Sequence, residues 1–164
     1  MFPASLLKNK AEVAHMTRTT AREIAIQLGF AAAATGEEPH DLLERFFEKE
    51  HYESLAQEDE LYSQAPDERQ MAYIARLVTL IDEHRDEIDD QIRTYAKGWK
   101  IERISKTALA VLRCALCEIL YMEDIPDSAA INEAVELAKG YDEPDTVAFV
   151  NGVLGGFMRG RLEN

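Results

Sequence analysis

Apolar positions recur along this chain at spacings of three and four residues, and strict alternation is scarce. That is the period of amphipathic helices, so the pattern predicts an all-α protein. The clearest run lies in residues 69–97, where Ile74, Leu77, Val78, Ile81, Ile88, Ile92 and Tyr95 form one stripe. Asp82, Glu83, Asp86, Glu87, Asp89 and Asp90 fill the other side. This should be the longest helix, or two helices if it divides near Glu83-His84-Arg85. Upstream, a helix is expected from Thr17 or Thr19 to Ala34, ending at Thr35-Gly36, and another over residues 41–50 with the stripe Leu42, Leu43, Phe46 and Phe47. Residues 50–64 read as a long loop or a short helix, and Pro66-Asp67-Glu68 punctuates the next start.

The first helix has an unusual second face. Ile24, Leu28 and Ala31 share one side, while Arg18, Arg22, Ile26 and Phe30 follow an i, i+4 line opposite. Surface helices are seldom apolar on both sides. Either this helix is sandwiched, or Ile26 and Phe30 meet a partner. Trp99, in the joint after Gly98, reads as a core plug between two sub-bundles.

Residues 104–157 predict three further helices in tight succession. Pro126 cannot continue the first of them and pushes Ile125 toward extended geometry. Asp127 or Ser128 is expected to cap the second, and Gly140, after Lys139, to close it in left-handed geometry. Pro144 suits the first turn of the third, with Asp142 or Glu143 as cap. At about 100° per residue, Val147, Val150, Leu154, Phe157 and Met158 fall on one side of that helix, and Asp145, Phe149, Gly152 and Gly156 fall well away. Phe149 is thus either packed against a neighbouring sub-bundle or an exposed contact residue beside glycines that let a partner approach. In all, about seven helices in two antiparallel sub-bundles are expected, over residues 17–66 and 67–162. Residues 1–16 are expected to be a disordered or non-native extension.

Composition narrows the function. Hydrophobic residues make up 46% and charged residues 30% of 164, as in ordinary globular chains. No apolar run reaches membrane-span length, and a cytoplasmic protein with two reduced cysteines is expected. The net charge of −13 argues against sequence-blind nucleic-acid binding, though not against a local basic site. Acid is concentrated in residues 37–60, whereas residues 1–22 hold Lys8, Lys10, Arg18 and Arg22 against Glu12 alone.

Few motifs point to chemistry. Cys114-Ala115-Leu116-Cys117 lacks a second cysteine pair for zinc and a preceding strand for redox work, so the thiols read as small core residues. His84-Arg85-Asp86 echoes a kinase catalytic loop, but Gln91 stands where that motif needs Asn. The four histidines have no metal-ligand spacing, and the many carboxylates read as solvated helix faces. Gly152, Gly156 and Gly160 form a small-residue ridge suited to close packing. No catalytic residue, metal site or cofactor is expected. Arg18 and Arg22, as charges at a helix start, oppose the helix dipole, which hints at another use for them.

One long ordered run resembles a known family. It comprises Leu112-Arg113, Ala115, Glu118-Ile119-Leu120, Asp124-Ile125-Pro126, residues 130–139 (Ala-Ile-Asn-Glu-Ala-Val-Glu-Leu-Ala-Lys), Tyr141 and Phe149-Val150-Asn151-Gly152-Val153-Leu154, with a second match over residues 18–27. It is similar to the NusB transcription antitermination factors. The resemblance implies a helical fold that pairs with NusE, a small-subunit ribosomal protein, within the RNA polymerase antitermination complex. The pair would bind the boxA element of nascent ribosomal RNA. It also implies RNA contacts at Arg18, Arg22 and Phe149, and NusE contacts at Phe30 and Asp145. The chain departs from the family at Ala108-Leu109 (often Asp-Arg), at Cys117 (often Tyr) and at Gly29-Phe30 (usually Leu-Tyr). The alternative is a helical interaction module that homodimerises through Ile26 and Phe30 without RNA. The same fold occurs fused to RNA methyltransferases, but this chain is too short for one and has no cofactor loop.

Overall fold

The computed structural model describes residues 15–141 and 144–162. Among them every regular element is helical: α1 Arg18–Thr35, α2 Pro39–Phe46, α3 Lys49–Leu55, α4 Glu68–Glu83, α5 Arg85–Tyr95, α6 Lys106–Tyr121, α7 Asp127–Lys139 and α8 Pro144–Leu162, with 3-10 turns at Glu60–Tyr62 and Ile101–Arg103. The all-α expectation holds, with one helix more than seven. The expected cap at Asp142 or Glu143 and residues 1–14 lie outside the described residues. No helix of the described residues is long and apolar enough to cross a membrane. The chain forms two compact units, residues 1–76 and 77–164, so the division falls within α4.

In the first unit, α1 begins and ends as its sequence dictates. Thr17 accepts from the Thr20 amide, and Gly36 closes the helix at φ 72. That left-handed backbone favours glycine. Ile24, Ala25 and Leu28 are buried, and so is Ile26 on the second face, at 5% exposure. The Ile26 side of α1 therefore has cover within a single chain. The expected helix over residues 41–50 is two helices. Phe47 leaves helical geometry, and Glu48 then accepts from the amides of Glu50 and His51 to start α3. The stripe ends at Phe47, and the Glu48 cap starts a separate helix there.

The acidic stretch does local work. Glu38 caps α2, Glu48 caps α3, Asp59 caps the first 3-10 turn, and Glu37 pairs with Arg45 at 2.7 Å. Backbone amides hold the Glu48 carboxyl below its ordinary range. Phe46, Phe47, Tyr52 and Tyr62 pack edge-on or tilted above this segment. Burial, with the neighbouring Tyr62, pushes the Tyr52 phenol up to about 12, and its hydroxyl donates to the Gln64 carbonyl at 2.7 Å.

In the second unit, α6 is the core element. Val111, Leu112, Leu116, Cys117 and Glu118 have essentially no exposed surface. α7 and α8 pack on it and on each other, and α5 packs on α6 and α8. Both cysteines are buried thiols outside any disulfide, as small core residues; Cys114 donates to Glu118 at 3.3 Å. Asp89 and Arg113 form a buried two-pronged ion pair, both bonds at 2.8 Å, which ties α5 to α6. Such a fork fixes register because its planar geometry tolerates little sliding.

Two joints depart from expectation. Neither Asp127 nor Ser128 caps α7: Pro126 occupies that position, and no side chain bonds the first amides. Proline's fixed φ already sets the entry. Gly140 is right-handed, at φ −73, because its amide turns back to Leu137 and Ala138 carbonyls in a tightened last turn.

Candidate functional site: an aromatic ridge between two hollows

The joint between α5 and α6 carries the most exposed ring among the described aromatics. Ala96 is buried where α5 ends and Ile101 is buried at the following turn, so the loop is pinned at both ends. Between them Gly98 adopts φ 81, a conformation that a side chain would strain. The turn directs Trp99 outward, and it is 58% exposed. Trp99 is therefore not the core plug expected from the sequence. A position in a joint has no helical period to show which way it faces.

Trp99 meets Phe149 of α8 with ring centroids 5.6 Å apart and planes at 60°. Along α8, Val150, Val153, Leu154 and Phe157 face the core, while Asp145 and Gly152 are exposed and Phe149 is half-buried. Helical geometry thus places Asp145, Phe149, Gly152 and Gly156 on one line away from the core stripe, as the spacing predicted. Trp99 and Phe149 form a ridge that lines hollows on both sides.

The larger hollow has a volume of about 550 Å³. Lys97, Trp99, Phe149, Gly152, Gly156 and Arg159 contribute to its lining, and no carboxylate among the described residues does. Tyr95 closes one end: its ring lies 3.2 Å from where a Gly156 methyl would stand, and a methyl on Gly160 would overlap its hydroxyl. The glycine ridge of α8 thus admits an aromatic from α5, and Tyr95 also meets Phe157 edge-on at 5.9 Å. The smaller hollow, about 190 Å³, is lined by Arg103, Ser105, Asp145 and Thr146 with the same two rings. So Asp145, expected from the resemblance to have a role separate from that of Phe149, lies beside the ridge that Phe149 helps to form. Residues 93–106 hold Arg93, Lys97, Lys100, Arg103 and Lys106 against Glu102 alone. This stretch was the signal for the site that sequence reasoning passed over: cations around a tryptophan and a glycine, in a chain of net charge −13.

The remaining residues from the sequence lie in the first unit. Arg18 sits with its guanidinium 4.0 Å from the centre of the Tyr73 ring, and its Nε donates to Gln70 at 2.8 Å. The backbone N–H of Gln70 donates to the Asp67 carboxylate at 2.9 Å. Arg22 approaches the same ring at 5.5 Å and is only 3% exposed. Arg22 is thus buried, while Arg18 stays partly exposed. The Tyr73 ring of α4 lies against both guanidinium groups. One turn away on α1, the Glu23 carboxyl is raised above its ordinary value, first by burial and then by Asp59. Phe30 is half-buried near the end of α1. Among the described residues no cluster of His, Cys, Asp or Glu could hold a metal ion.

Comparison with known proteins identifies the family and the fold. A model of the NusB family matches residues 19–159. The transcription antitermination protein NusB of Clostridium botulinum (strain Kyoto / Type A2) is 38% identical over 140 residues, which cover 85% of this chain and 98% of that protein. That of Symbiobacterium thermophilum is 39% identical over 145 residues, 88% of this chain and 91% of its own. The solved structure of T. maritima NusB superposes with a TM-score of 0.70 at 28% identity, covering 88% of this chain and 92% of that one.

Proposed function

This chain belongs to the NusB family, and from that premise we propose that it is an RNA-binding transcription antitermination factor. It acts by binding, making and breaking no covalent bond, in the cytoplasm. Its RNA is the boxA element of nascent ribosomal RNA, and its partner is NusE within the RNA polymerase antitermination complex. The observation that carries this reading is the extent of the likeness, which runs over 98% of a NusB relative at 38% identity. The aromatic ridge supports it, because single-stranded RNA is read by stacking on exposed rings while cations hold the phosphates.

The residues divide the work. Phe149 supports a base at the ridge. Arg18 reaches phosphate from its place over Tyr73. Arg22 is too enclosed to do so in this conformation, and it contributes by holding Arg18 and Tyr73 in place. Asp145, exposed beside the ridge, and Phe30 meet NusE. A protein of net charge −13 attracts RNA weakly by itself, so a basic partner supplies part of the field. The homodimer reading is less favoured, because Ile26, half of the patch that would need a second copy, is already covered in one chain.

The test is read-through of a terminator on a boxA-bearing template by RNA polymerase with NusE present. Addition of this chain should raise read-through, and Phe149→Ala or Asp145→Ala should reduce the gain. Unchanged read-through, with a stable homodimer by light scattering, would favour the interaction-module reading.

A further inference from the structure

We propose that the larger hollow beside the ridge is a seat for one unstacked nucleotide of single-stranded RNA. The base lies on the open face of Trp99, and its neighbouring phosphates meet Lys97 and Arg159. The proposal rests on the RNA-binding reading above, and it adds a platform and a pocket of defined chemistry. Four observations carry it. Trp99 is 58% exposed in a loop that is pinned by buried residues on both sides, so its exposure is built in. Among the described residues the hollow is lined by two cations and no carboxylate, although the chain has 31 acidic residues against 18 basic ones. Its volume of about 550 Å³ accommodates a nucleotide. Gly152 lines the hollow, and open space lies where its Cβ would stand. Glycine inside a helix costs about 1 kcal/mol relative to alanine, and here its bareness keeps the hollow open.

The rings meet at 60°, so they cannot sandwich a base between them. Phe149 instead braces Trp99 from the side, leaving one indole face as the platform. Stacking on such a face tolerates any base, so the seat adds affinity more than sequence preference.

Trp99 is the single tryptophan of the chain, and its emission reports directly on the seat. The full chain is titrated with a short unstructured oligoribonucleotide, with and without the basic ribosomal partner. Saturable quenching of Trp99 is expected. With labelled RNA, Trp99→Ala should lose roughly 5- to 100-fold in affinity, and Trp99→Phe should recover most of it. Gly152→Leu should weaken binding although Trp99 is intact. Lys97→Gln and Arg159→Gln should each lower the salt slope by about one. RNA binding with unchanged Trp99 emission and an unaffected Trp99→Ala variant would overturn the seat and leave the antitermination reading standing. Quenching by the partner protein alone, with no further change on adding RNA, would make this a protein surface and also overturn it. No RNA binding under any condition would overturn both readings.

Discussion

The two units use the same kinds of side chain in opposite ways. In the first, Arg18 and Arg22 converge on Tyr73, and the ring is buried beneath them. In the second, Lys97 and Arg159 flank Trp99, and the ring is open. A guanidinium over a buried ring gains from the ring's negative face and stiffens the fold, but much of its capacity is already used. An open ring with cations beside it adds less to the fold of the free protein and keeps its capacity for a ligand. A pairing of cation and aromatic in a sequence therefore does not by itself say binding site. Whether the ring is covered decides.

This contrast is most easily broken by truncating each ring in turn. Tyr73→Ala should destabilise the protein by roughly 3–5 kcal/mol, as expected for a buried aromatic, measured as a shifted urea midpoint. Trp99→Ala should change stability by no more than about 0.5 kcal/mol, while its effect falls on RNA binding. Equal losses of stability would show that Trp99 also holds the fold, and the distinction would fail. Arg18→Gln comes next. An exposed cation–π contact is worth about 0.5–1 kcal/mol, so stability should fall by that order. If Arg18 also meets a phosphate, the salt slope of RNA binding should fall by about one.

The smallest expected effect concerns the acid of the first unit. Backbone amides of His51 and Glu50 hold the Glu48 carboxyl below its ordinary value of 4.5. Because the folded value lies below the unfolded one, the cap is fully effective above about that pH. It fades as pH falls through the depressed value. Glu48→Gln should therefore lower the helicity of this segment at neutral pH and remove part of its acid sensitivity, read by hydrogen exchange at α3. Unchanged exchange would mean that α3 is held by Tyr52 and its aromatic neighbours alone.

Much of the second unit was legible in the sequence because its signals agree. The α6 stripe, Pro126 after it and the Asp145–Phe149–Gly152–Gly156 line all follow from helical period and proline sterics. The details that were not legible depend on tertiary context. Gly140 can close a helix in either hand, and the turn back to Leu137 decided it. Trp99 sits between elements, where only the pinned loop and Gly98 settle its direction. Arg22 reads as a surface charge until Tyr73, some fifty residues away, covers it. The roles of Arg18, Arg22, Phe149, Phe30 and Asp145 came from the family resemblance, since no local pattern distinguishes a contact residue from a packed one.

On this reading the acidic chain binds RNA through its open ridge and with a basic partner. Fluorescence anisotropy of boxA RNA, with and without NusE and across a salt series, tests it most directly. Tight binding is expected with NusE, much weaker binding without it, and a loss on Phe149→Ala that leaves the fold intact. Binding that is absent with NusE, or that is indifferent to salt and to Phe149, would contradict it.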